Sequence, residues 1–397
     1  MHAQWNFSVA GEIHFGCGAI DQLGVLCKKY GWHRALVISD ENLLAADMVD
    51  RVCAILQAVC VDAFAFAETE REPSIETAEA AISVSASFGA DVVIGLGGGS
   101  NMDLAKVVAT VLACGGTPRE YFGFDCIPRP ILPLICIPTT AGTGSEVSHS
   151  AVLTDRRSEM KVSMQSSYLR PSVAVVDPTL AVSCPRQVTA ESGIDALVHA
   201  IEAFSAKDAH EMPAGYAYSG RTPLTDTLCE RAIALIGRYL VVAVEKPDDL
   251  EAREAMATAA LLAGMAFSNA GVAVVHALEY PLGAALHCSH GAGNGMLLPF
   301  VMRFNMPVRQ KTFARIAELL GEDTSGLGVP EAARQAIRAI EGLRERIGIP
   351  TSIGQLGGRA DQLAGFAEKA FSVKRLMQVN PRPVTEDDLI GILRSAL

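Results

Sequence analysis

The sequence lacks several features that would place it in other classes of protein. Its ten cysteines are scattered without a Cys-x-x-Cys pair, which indicates reduced thiols and not a disulfide framework. It has no long basic run, and its net charge of −11 disfavours nucleic acid and anionic membrane surfaces as partners. The first ten residues show no basic segment followed by an apolar one, so we expect a cytoplasmic location.

A membrane-spanning segment is also not predicted. The run between Glu254 and Glu279 carries no Asp, Glu, Lys or Arg and is long enough to cross a bilayer. It is interrupted at Ser268–Gly271, and neither a basic flank nor an aromatic belt frames it. We therefore predict two buried helices joined near residues 269–271.

What the sequence does contain is a change of pattern near residue 185. Half of the 397 residues are apolar, and a chain of this length predicts two domains, which we place at 1–184 and 185–397. Before the change, short apolar strands alternate with helices, as in an α/β fold, after a strand pair in residues 1–20. The predicted strands are 34–39, 61–66, 91–96, 132–137 and 173–176, and the helices between them are 21–30, 43–59, 74–88 and 102–112. After it, only helices are predicted: 188–205, 226–244, 251–268, 271–286, 310–320, 330–347, 360–371 and 385–396.

Two predicted strands run into polar, glycine-containing loops. The strand 91–96 leads into Gly97-Gly98-Gly99-Ser100 and then a helix, a geometry that suits a pyrophosphate because glycine lets the backbone come close and the helix N-terminus offers free N–H groups. The strand 132–137 ends in PTTAGTGSE, residues 138–146. Ligands of open α/β sheets bind at the carboxyl ends of strands. The first loop matches neither a Rossmann fingerprint nor a Walker loop, and either one can serve as a tight turn or a connection.

One carboxylate and three histidines have the composition of a metal site. Asp195 and His199 are four residues apart in a predicted helix, so both leave the same face. His276 and His290 are separated by Pro281 and Gly283, which favours two elements that meet at a corner. Together they would suit Fe²⁺ or Zn²⁺. Spacing alone does not join the two pairs, and single histidines in apolar helices are usually core residues.

Four motifs in order carry a family resemblance over nearly the whole length. They are GGGSNMDLAK, PTTAGTGSEV, GIDALVHAIEA and HALEYPLGAALHCSHG. With them the chain resembles the iron-containing (group III) alcohol dehydrogenases. The resemblance implies an α/β dinucleotide-binding domain followed by an all-α domain, the dehydroquinate synthase-like fold. It also implies NAD as cofactor, Fe²⁺ (or Zn²⁺) as metal, an alcohol, aldehyde or hydroxy acid as substrate, and a homodimer or larger homo-oligomer.

The resemblance assigns site residues one by one. The metal ligands would be Asp195, His199, His276 and His290, with Tyr280 beside them as a further catalytic residue. The pyrophosphate would bind at Gly97, Gly98, Gly99 and Ser100, followed by the polar residues Asp103 and Lys106. The remaining cofactor residues would be Thr139, Thr140, Thr143, Ser145 and Lys161, with Asp40 favouring the ribose of NAD over a 2′-phosphate or capping the helix that follows it.

Departures from the family pattern leave other functions open. Many members have histidine where this chain has Tyr280, and asparagine where it has Ser150. The tyrosine and the segment 206–225 resemble the hydroxyacid–oxoacid transhydrogenase branch, in which Lys207 or Arg221 could bind a carboxylate. A lyase of the dehydroquinate synthase type would need more basic residues near the metal, and a purely structural homologue would not need four ligands.

Overall fold

The computed structural model describes residues 4–158, 160–213 and 215–397, and within it the chain divides into two compact units. One unit consists of Val9–Thr140 and Gly144–Val182 and contains all the strands. The other consists of Ser183–Leu397, the three residues Ala141–Thr143 and the described residues before Val9, and it is helical. The two classes of secondary structure thus separate along the chain as the sequence predicts.

The α/β unit is built on a six-stranded parallel sheet. Its strand order is β1-β9-β6-β4-β2-β3, and β5, β8 and β7 form a small second sheet. The strands are β1 Glu12–Phe15, β2 Arg34–Ile38, β3 Asp62–Phe66, β4 Val92–Gly97, β5 Gly123–Phe124, β6 Leu134–Pro138, β7 Ser150–Asp155, β8 Met160–Gln165 and β9 Val173–Val176. The helices are α1 Leu23–Tyr30, α2 Glu41–Ala45, α3 Met48–Gln57, α4 Ile75–Ser85 and α5 Gly99–Cys114.

Both faces of this sheet are buried, which explains why its inner strands are apolar throughout, apart from Arg34 at the exposed start of β2. Leu36 and Ile38 belong to one core with Met102 and Leu104 of α5. Ala35 and Val37, which alternate with them, belong to a second core on the opposite face. A parallel sheet covered on both sides produces continuous apolar runs instead of an alternating pattern.

Two predictions for this unit are wrong. Residues 1–20 do not form a strand pair in the part that is described, since β1 is a single strand whose partner is β9, in parallel register; residues 1–3 lie outside the described part. The predicted helix 43–59 is two helices, broken at Asp47, whose φ of 57° is left-handed. The antiparallel pair β7–β8 was not predicted.

The helical unit contains nine helices in the described residues. They are α6 Arg186–Ser205, α7 Pro223–Glu245, α8 Leu250–Ala270, α9 Val274–Leu286, α10 His290–Leu319, α11 Val329–Arg346, α12 Leu363–Ser372, α13 Lys374–Val379 and α14 Glu386–Ser395. The prediction of a helix at 310–320 was too short, because α10 begins at His290 and continues through a kink at Arg309. The helix α13 was not predicted.

The uncharged run forms the two buried helices that were predicted. In the described residues, no single helix has the length and apolar character needed to cross a membrane. By length and composition alone the pair α8 and α9 meets that test, but the two helices are bent by 105° relative to each other. Most of their side chains are buried within the unit.

Candidate metal and cofactor sites

Three helices of the helical unit bring the four predicted metal ligands together. Asp195 and His199 lie one turn apart on α6, His276 is in the first turn of α9, and His290 is the first residue of α10. One ligand atom from each of Asp195, His199 and His276 lies within 4.8 Å of the others. The Nε2 atom of His290 is 3.9 Å from Oδ1 of Asp195. The tertiary fold thus joins two pairs that spacing alone left apart.

The electrostatics of this cluster favour the protonation states in which its side chains can bind a metal ion. Burial raises the pKa of Asp195, but the neighbouring histidines and the Asn294 amide outweigh it and lower that pKa to about 2. Burial is the main cause that lowers the pKa of His199, to about 3. Near neutral pH the carboxyl is therefore ionised and this imidazole neutral, and a divalent cation binds both in those states.

An unpartnered buried nitrogen shows that the cluster fits a metal ion. Among the described residues, Nδ1 of His199 is buried and has no hydrogen-bond partner. It lies 3.8 Å from Oδ2 of Asp195, and its ring stacks on Phe267 at 4.3 Å between centroids. Burial of a nitrogen lone pair without a partner costs free energy unless a bound metal ion coordinates that lone pair. One carboxylate and three imidazoles are a donor set suited to Fe²⁺ or Zn²⁺.

Two buried glutamates contact the later histidines on the ring nitrogen that faces away from the cluster. Oε2 of Glu202 is 2.6 Å from Nδ1 of His276, and Oε2 of Glu279 is 2.5 Å from Nδ1 of His290. The Nε2 atoms of both histidines face the cluster, where the side-chain amide of Asn294 lies 3.2 and 3.1 Å from them. This amide also donates a 2.8 Å hydrogen bond to Asp195. Glu202, Glu279 and Asn294 were not predicted from the sequence.

The close approach of α10 to α6 depends on Gly291. A Cβ atom at this position would lie 2.0 Å from the carbonyl oxygen of Glu191 and 3.3 Å from Cβ of Asp195. Any side chain would therefore push the start of α10, and His290 with it, away from Asp195. Glycine is required here by contact and not by backbone angle.

Tyr280 follows His276 by one turn of α9 and is buried near the same cluster. Its ring centroid lies 6.2 Å from that of His290, with the two rings tilted by 32°. Only 6% of the residue is exposed. The placement puts a phenol close to a candidate ligand, as the resemblance implies.

In the α/β unit, the glycine loop leads from β4 directly into α5. Gly97 ends the strand with φ of 138°, Gly98 is the N-cap, and Gly99 begins a 16-residue helix. A Cβ atom on Gly97 would lie 1.9 Å from Nδ2 of Asn101, so this turn admits only glycine. The open N–H groups of a long helix at the end of a central strand are suited to a phosphate.

Asp40 caps the helix after β2, and both of its oxygens are engaged. Oδ1 accepts from the backbone N–H groups of Asn42 and Leu43, at 2.9 and 3.1 Å. Oδ2 accepts a 2.6 Å hydrogen bond from the amide of Asn101 in α5. The Asn101 contact ties the end of β2 to the glycine loop, so the carboxylate is held beside the predicted pyrophosphate site.

The polar residues after the glycine loop are engaged within the unit. The buried Nζ of Lys106 hydrogen-bonds the carbonyl oxygens of Ser145, Ser148 and Ser150 and the hydroxyls of Ser145 and Ser148, at 2.8–3.2 Å. Ser145 in turn donates to Asp103 at 2.6 Å. Asp103, Lys106 and Ser145 thus fix the course of the segment after β6.

The other predicted cofactor residues lie in four places. Thr139 and Thr140 follow β6, and the backbone N–H of Thr139 bonds the carbonyl of Gly97 at 3.0 Å. Ser100 donates to the carbonyl of Arg71 at 2.6 Å. Lys161 lies on β8 with its Nζ 3.3 Å from Glu72. Thr143 belongs to the three-residue segment that groups with the helical unit.

Comparisons with known proteins agree over the whole chain. The family profile described as iron-containing alcohol dehydrogenase matches residues 10–178, and that of the Fe-containing alcohol dehydrogenase family, C-terminal, matches residues 189–397. An NAD-dependent methanol dehydrogenase of Bacillus methanolicus is 36% identical over 99% of this chain and 100% of its own. A long-chain-alcohol dehydrogenase of Geobacillus thermodenitrificans is 39% identical over 96% of this chain and 94% of its own. A solved 1,3-propanediol oxidoreductase is 35% identical, with full coverage of both chains and a TM-score of 0.93.

Proposed function

The chain belongs to the iron-containing alcohol dehydrogenase family and is an NAD-dependent oxidoreductase that interconverts alcohols and aldehydes, and we propose that Asp195, His199, His276 and His290 hold its metal. The observation that carries this proposal is that ligand atoms of Asp195, His199 and His276 lie within 4.8 Å of one another, with Nε2 of His290 3.9 Å from Asp195 and Nδ1 of His199 unpartnered. We further propose that the substrates are primary alcohols and their aldehydes. Relatives named for methanol and for long-chain alcohols support that class without fixing a chain length.

The proposed roles of the residues follow from the chemistry. The metal held by these four residues would supply Lewis-acid activation of the alcohol oxygen, and NAD bound at the glycine loop would accept the hydride. Ionised Asp195 and neutral His199 provide the charge and the lone pair that hold the cation. Tyr280, buried beside His290, would orient the substrate oxygen or a water molecule through its hydroxyl.

The cofactor residues are proposed from their positions at the ends of β2, β4 and β6. Gly97, Gly98, Gly99 and Ser100 would bind the pyrophosphate at the N-terminus of α5. Asp40 would accept hydrogen bonds from the adenosine ribose and repel a 2′-phosphate. The remaining contacts would come from Thr139, Thr140, Thr143 and Lys161, while Asp103 and Ser145 would act by holding the loop in place.

We propose that the division near residue 184 separates a nucleotide-binding domain, 1–184, from a metal- and substrate-binding domain, 185–397. We also propose a cytoplasmic homodimer or larger homo-oligomer without nucleic-acid or membrane partners. The net charge of −11 supports the absence of nucleic-acid and anionic-membrane partners. Size-exclusion chromatography with light scattering tests the oligomer.

The transhydrogenase alternative gains little from the structure. Arg221, a candidate partner for a substrate carboxylate, is already bonded to Asp226 at 2.7 and 3.1 Å. Its charge is therefore neutralised within the protein. The family relatives described above are named as dehydrogenases and an oxidoreductase.

One experiment tests the proposed function. Protein reconstituted with Fe²⁺ is incubated with NAD⁺ and a panel of primary alcohols, 2-hydroxy acids and ω-hydroxy acids, and the absorbance of NADH is followed. We expect turnover of primary alcohols, and loss of both turnover and bound metal in His276→Ala and His290→Ala. Full metal occupancy in both variants would contradict the ligand assignment, and turnover of hydroxy acids alone would contradict the substrate class.

A further inference from the structure

The helical unit contains the pattern His-x-x-Glu twice, and each glutamate contacts the histidine of the next element. Glu202 follows His199 by three residues on α6, and Glu279 follows His276 by three residues on α9. Glu202 contacts His276, and Glu279 contacts His290. The helices α6 and α9 thus each carry a candidate ligand and the carboxylate that holds the candidate ligand on the next element.

We propose that Glu202 and Glu279 are positioning residues that fix the tautomer and ring orientation of His276 and His290 for metal binding. This inference rests on the proposed metal site. Both carboxylates lie on the Nδ1 side of their histidines and accept a hydrogen bond from the Nδ1–H group, which leaves the Nε2 lone pair directed at the cluster. Carboxylate–histidine pairs of this kind also increase the electron donation of the imidazole to a metal.

The burial of both pairs supports a role beyond surface packing. The side chain of Glu202 is 4% exposed and that of Glu279 is fully buried. Buried carboxylates are costly unless they are hydrogen-bonded, and here each one is directed at a histidine. Glu202 has a second contact, in which Oε1 accepts a 2.8 Å hydrogen bond from the backbone N–H of Val275 at the start of α9. Its carboxylate therefore sets the position of the helix as well as the ring.

His199 is held differently, and the difference fits the proposal. Its Nδ1 has no hydrogen-bond partner among the described residues, and the ring hydrogen-bonds the backbone of Gly142, in the same unit, in place of a carboxylate. No glutamate therefore contacts the ring of His199 in the way that Glu202 contacts His276 and Glu279 contacts His290. Removal of either glutamate should accordingly affect its own histidine and leave His199 in place.

The test measures metal affinity in isosteric variants. Glu202→Gln and Glu279→Gln keep the side-chain volume but remove the charge and the fixed acceptor. Glu12→Gln is the matched control, because Glu12 contacts His14 at 3.1 Å in the other unit, in a glutamate–histidine pair outside the cluster. We expect each site variant to bind Fe²⁺ about 10- to 100-fold more weakly in competition with a chelator. The control should bind it as wild type does.

Two further measurements separate positioning from general loosening of the fold. The visible absorption of Co²⁺-loaded protein, per bound ion, should shift in the site variants, because the donor strength of one imidazole changes. Circular dichroism and the melting temperature of the metal-free proteins identify a variant that fails to fold, and the other glutamate then provides an independent test.

The outcomes distinguish the inference from the function on which it rests. If His276→Ala loses its metal while both glutamine variants keep wild-type affinity within twofold and an unchanged cobalt spectrum, the positioning role is wrong and the site stands. If His276→Ala keeps full metal occupancy, the ligand assignment itself is wrong. Loss of affinity in the glutamine variants with loss in His276→Ala supports both.

Discussion

The buried ammonium group of Lys106 donates a 2.8 Å hydrogen bond to the hydroxyl of Ser145. It makes four more hydrogen bonds to oxygens between Ser145 and Ser150. A charge on α5 therefore organises the chain that follows β6. The ammonium group of Lys106 holds this loop by binding several of its oxygens at once, as a bound cation would.

Replacement of this lysine should destabilise the α/β unit. Lys106→Met leaves carbonyl and hydroxyl groups without a donor and Asp103 without its nearby charge, at a cost of ~3–5 kcal/mol in the free energy of unfolding. Urea unfolding measures this loss, and NAD⁺ binding should weaken in the same variant. Lys28→Met, at an exposed lysine in the same unit, is the control. Equal stability of the two variants would contradict the role.

Glu146 should make stability depend on pH. Burial raises the pKa of this carboxyl from 4.5 to about 7, although Lys106 opposes the shift. Between those pH values the unfolded chain releases the proton and the folded protein keeps it, so stability falls as pH rises from 4.5 to 7 and then levels off. Glu146→Gln removes this dependence.

The stability of Glu146→Gln relative to wild type should be higher at pH 8 than at pH 5. The difference in the free energy of unfolding should approach about 3 kcal/mol, from 1.36 kcal/mol for each pH unit between the two pKa values. Urea unfolding at both pH values measures it. The exposed Glu68→Gln serves as control, and a pH-independent difference for Glu146→Gln would show that burial does not shift this group.

Asp40 should determine the preference for NAD over NADP. Asp40→Ser removes the charge but keeps an oxygen that can cap α2, because serine and aspartate are comparable N-caps. We expect kcat/KM with NADP⁺ to rise about tenfold or more, which corresponds to about 1.4 kcal/mol. Glu41→Ser removes the adjacent exposed carboxylate and should not change the preference. Wild-type protein that uses NADP⁺ better than NAD⁺ would mean that Asp40 is only a helix cap.

Tyr280 should orient the reactants without acting as a base. A phenol hydroxyl donates a hydrogen bond, whereas a histidine at this position could also take up and release a proton near neutral pH. Tyr280→Phe should keep metal and cofactor and lose roughly ten- to a hundredfold in kcat, the size of one hydrogen bond of about 1.4–2.7 kcal/mol. Tyr280→His should stay active and acquire a pH dependence near neutrality.

A pH–rate profile of wild type, Tyr280→Phe and Tyr280→His checks this prediction. Tyr239→Phe, which loses a hydroxyl contact with Glu251 away from the cluster, is the control for the chemical change. A Tyr280→Phe variant as fast as wild type would leave the ring with a packing role only.

The sequence predicted the parts of the site that depend on local spacing. Asp195 and His199 share a helix face because their separation matches one turn, and the strand-to-helix turn at Gly97 follows from residue type. The partnership of Glu202 with His276 could not be predicted in this way, since it joins residues 74 positions apart across two helices. The only sequence signal for these glutamates was the His-x-x-Glu repeat. Its spacing relates each glutamate to the histidine of its own helix and does not indicate a contact with a histidine of another element.

The elements that sequence analysis missed have weak local signals. The first turns of α10 contain Gly291, Gly293 and Gly295 and are followed by Pro299, a composition of low helix propensity. Packing against α6 stabilises this segment, and a tertiary contact of this kind cannot be predicted from the local sequence. Likewise β1 pairs with Val173–Val176, far along the chain, so the local alternation in residues 1–20 wrongly indicated a strand pair there.

The distribution of the candidate ligands over α6, α9 and α10 has a consequence for biosynthesis. A nascent chain that has reached the end of α8 at Ala270 carries Asp195 and His199 but neither later histidine. The full set exists only once the ribosome has passed His290 and α10 has packed against α6 through Gly291. If these four residues hold the metal, as proposed, we expect metal loading to be a late event in maturation that requires an assembled helical unit.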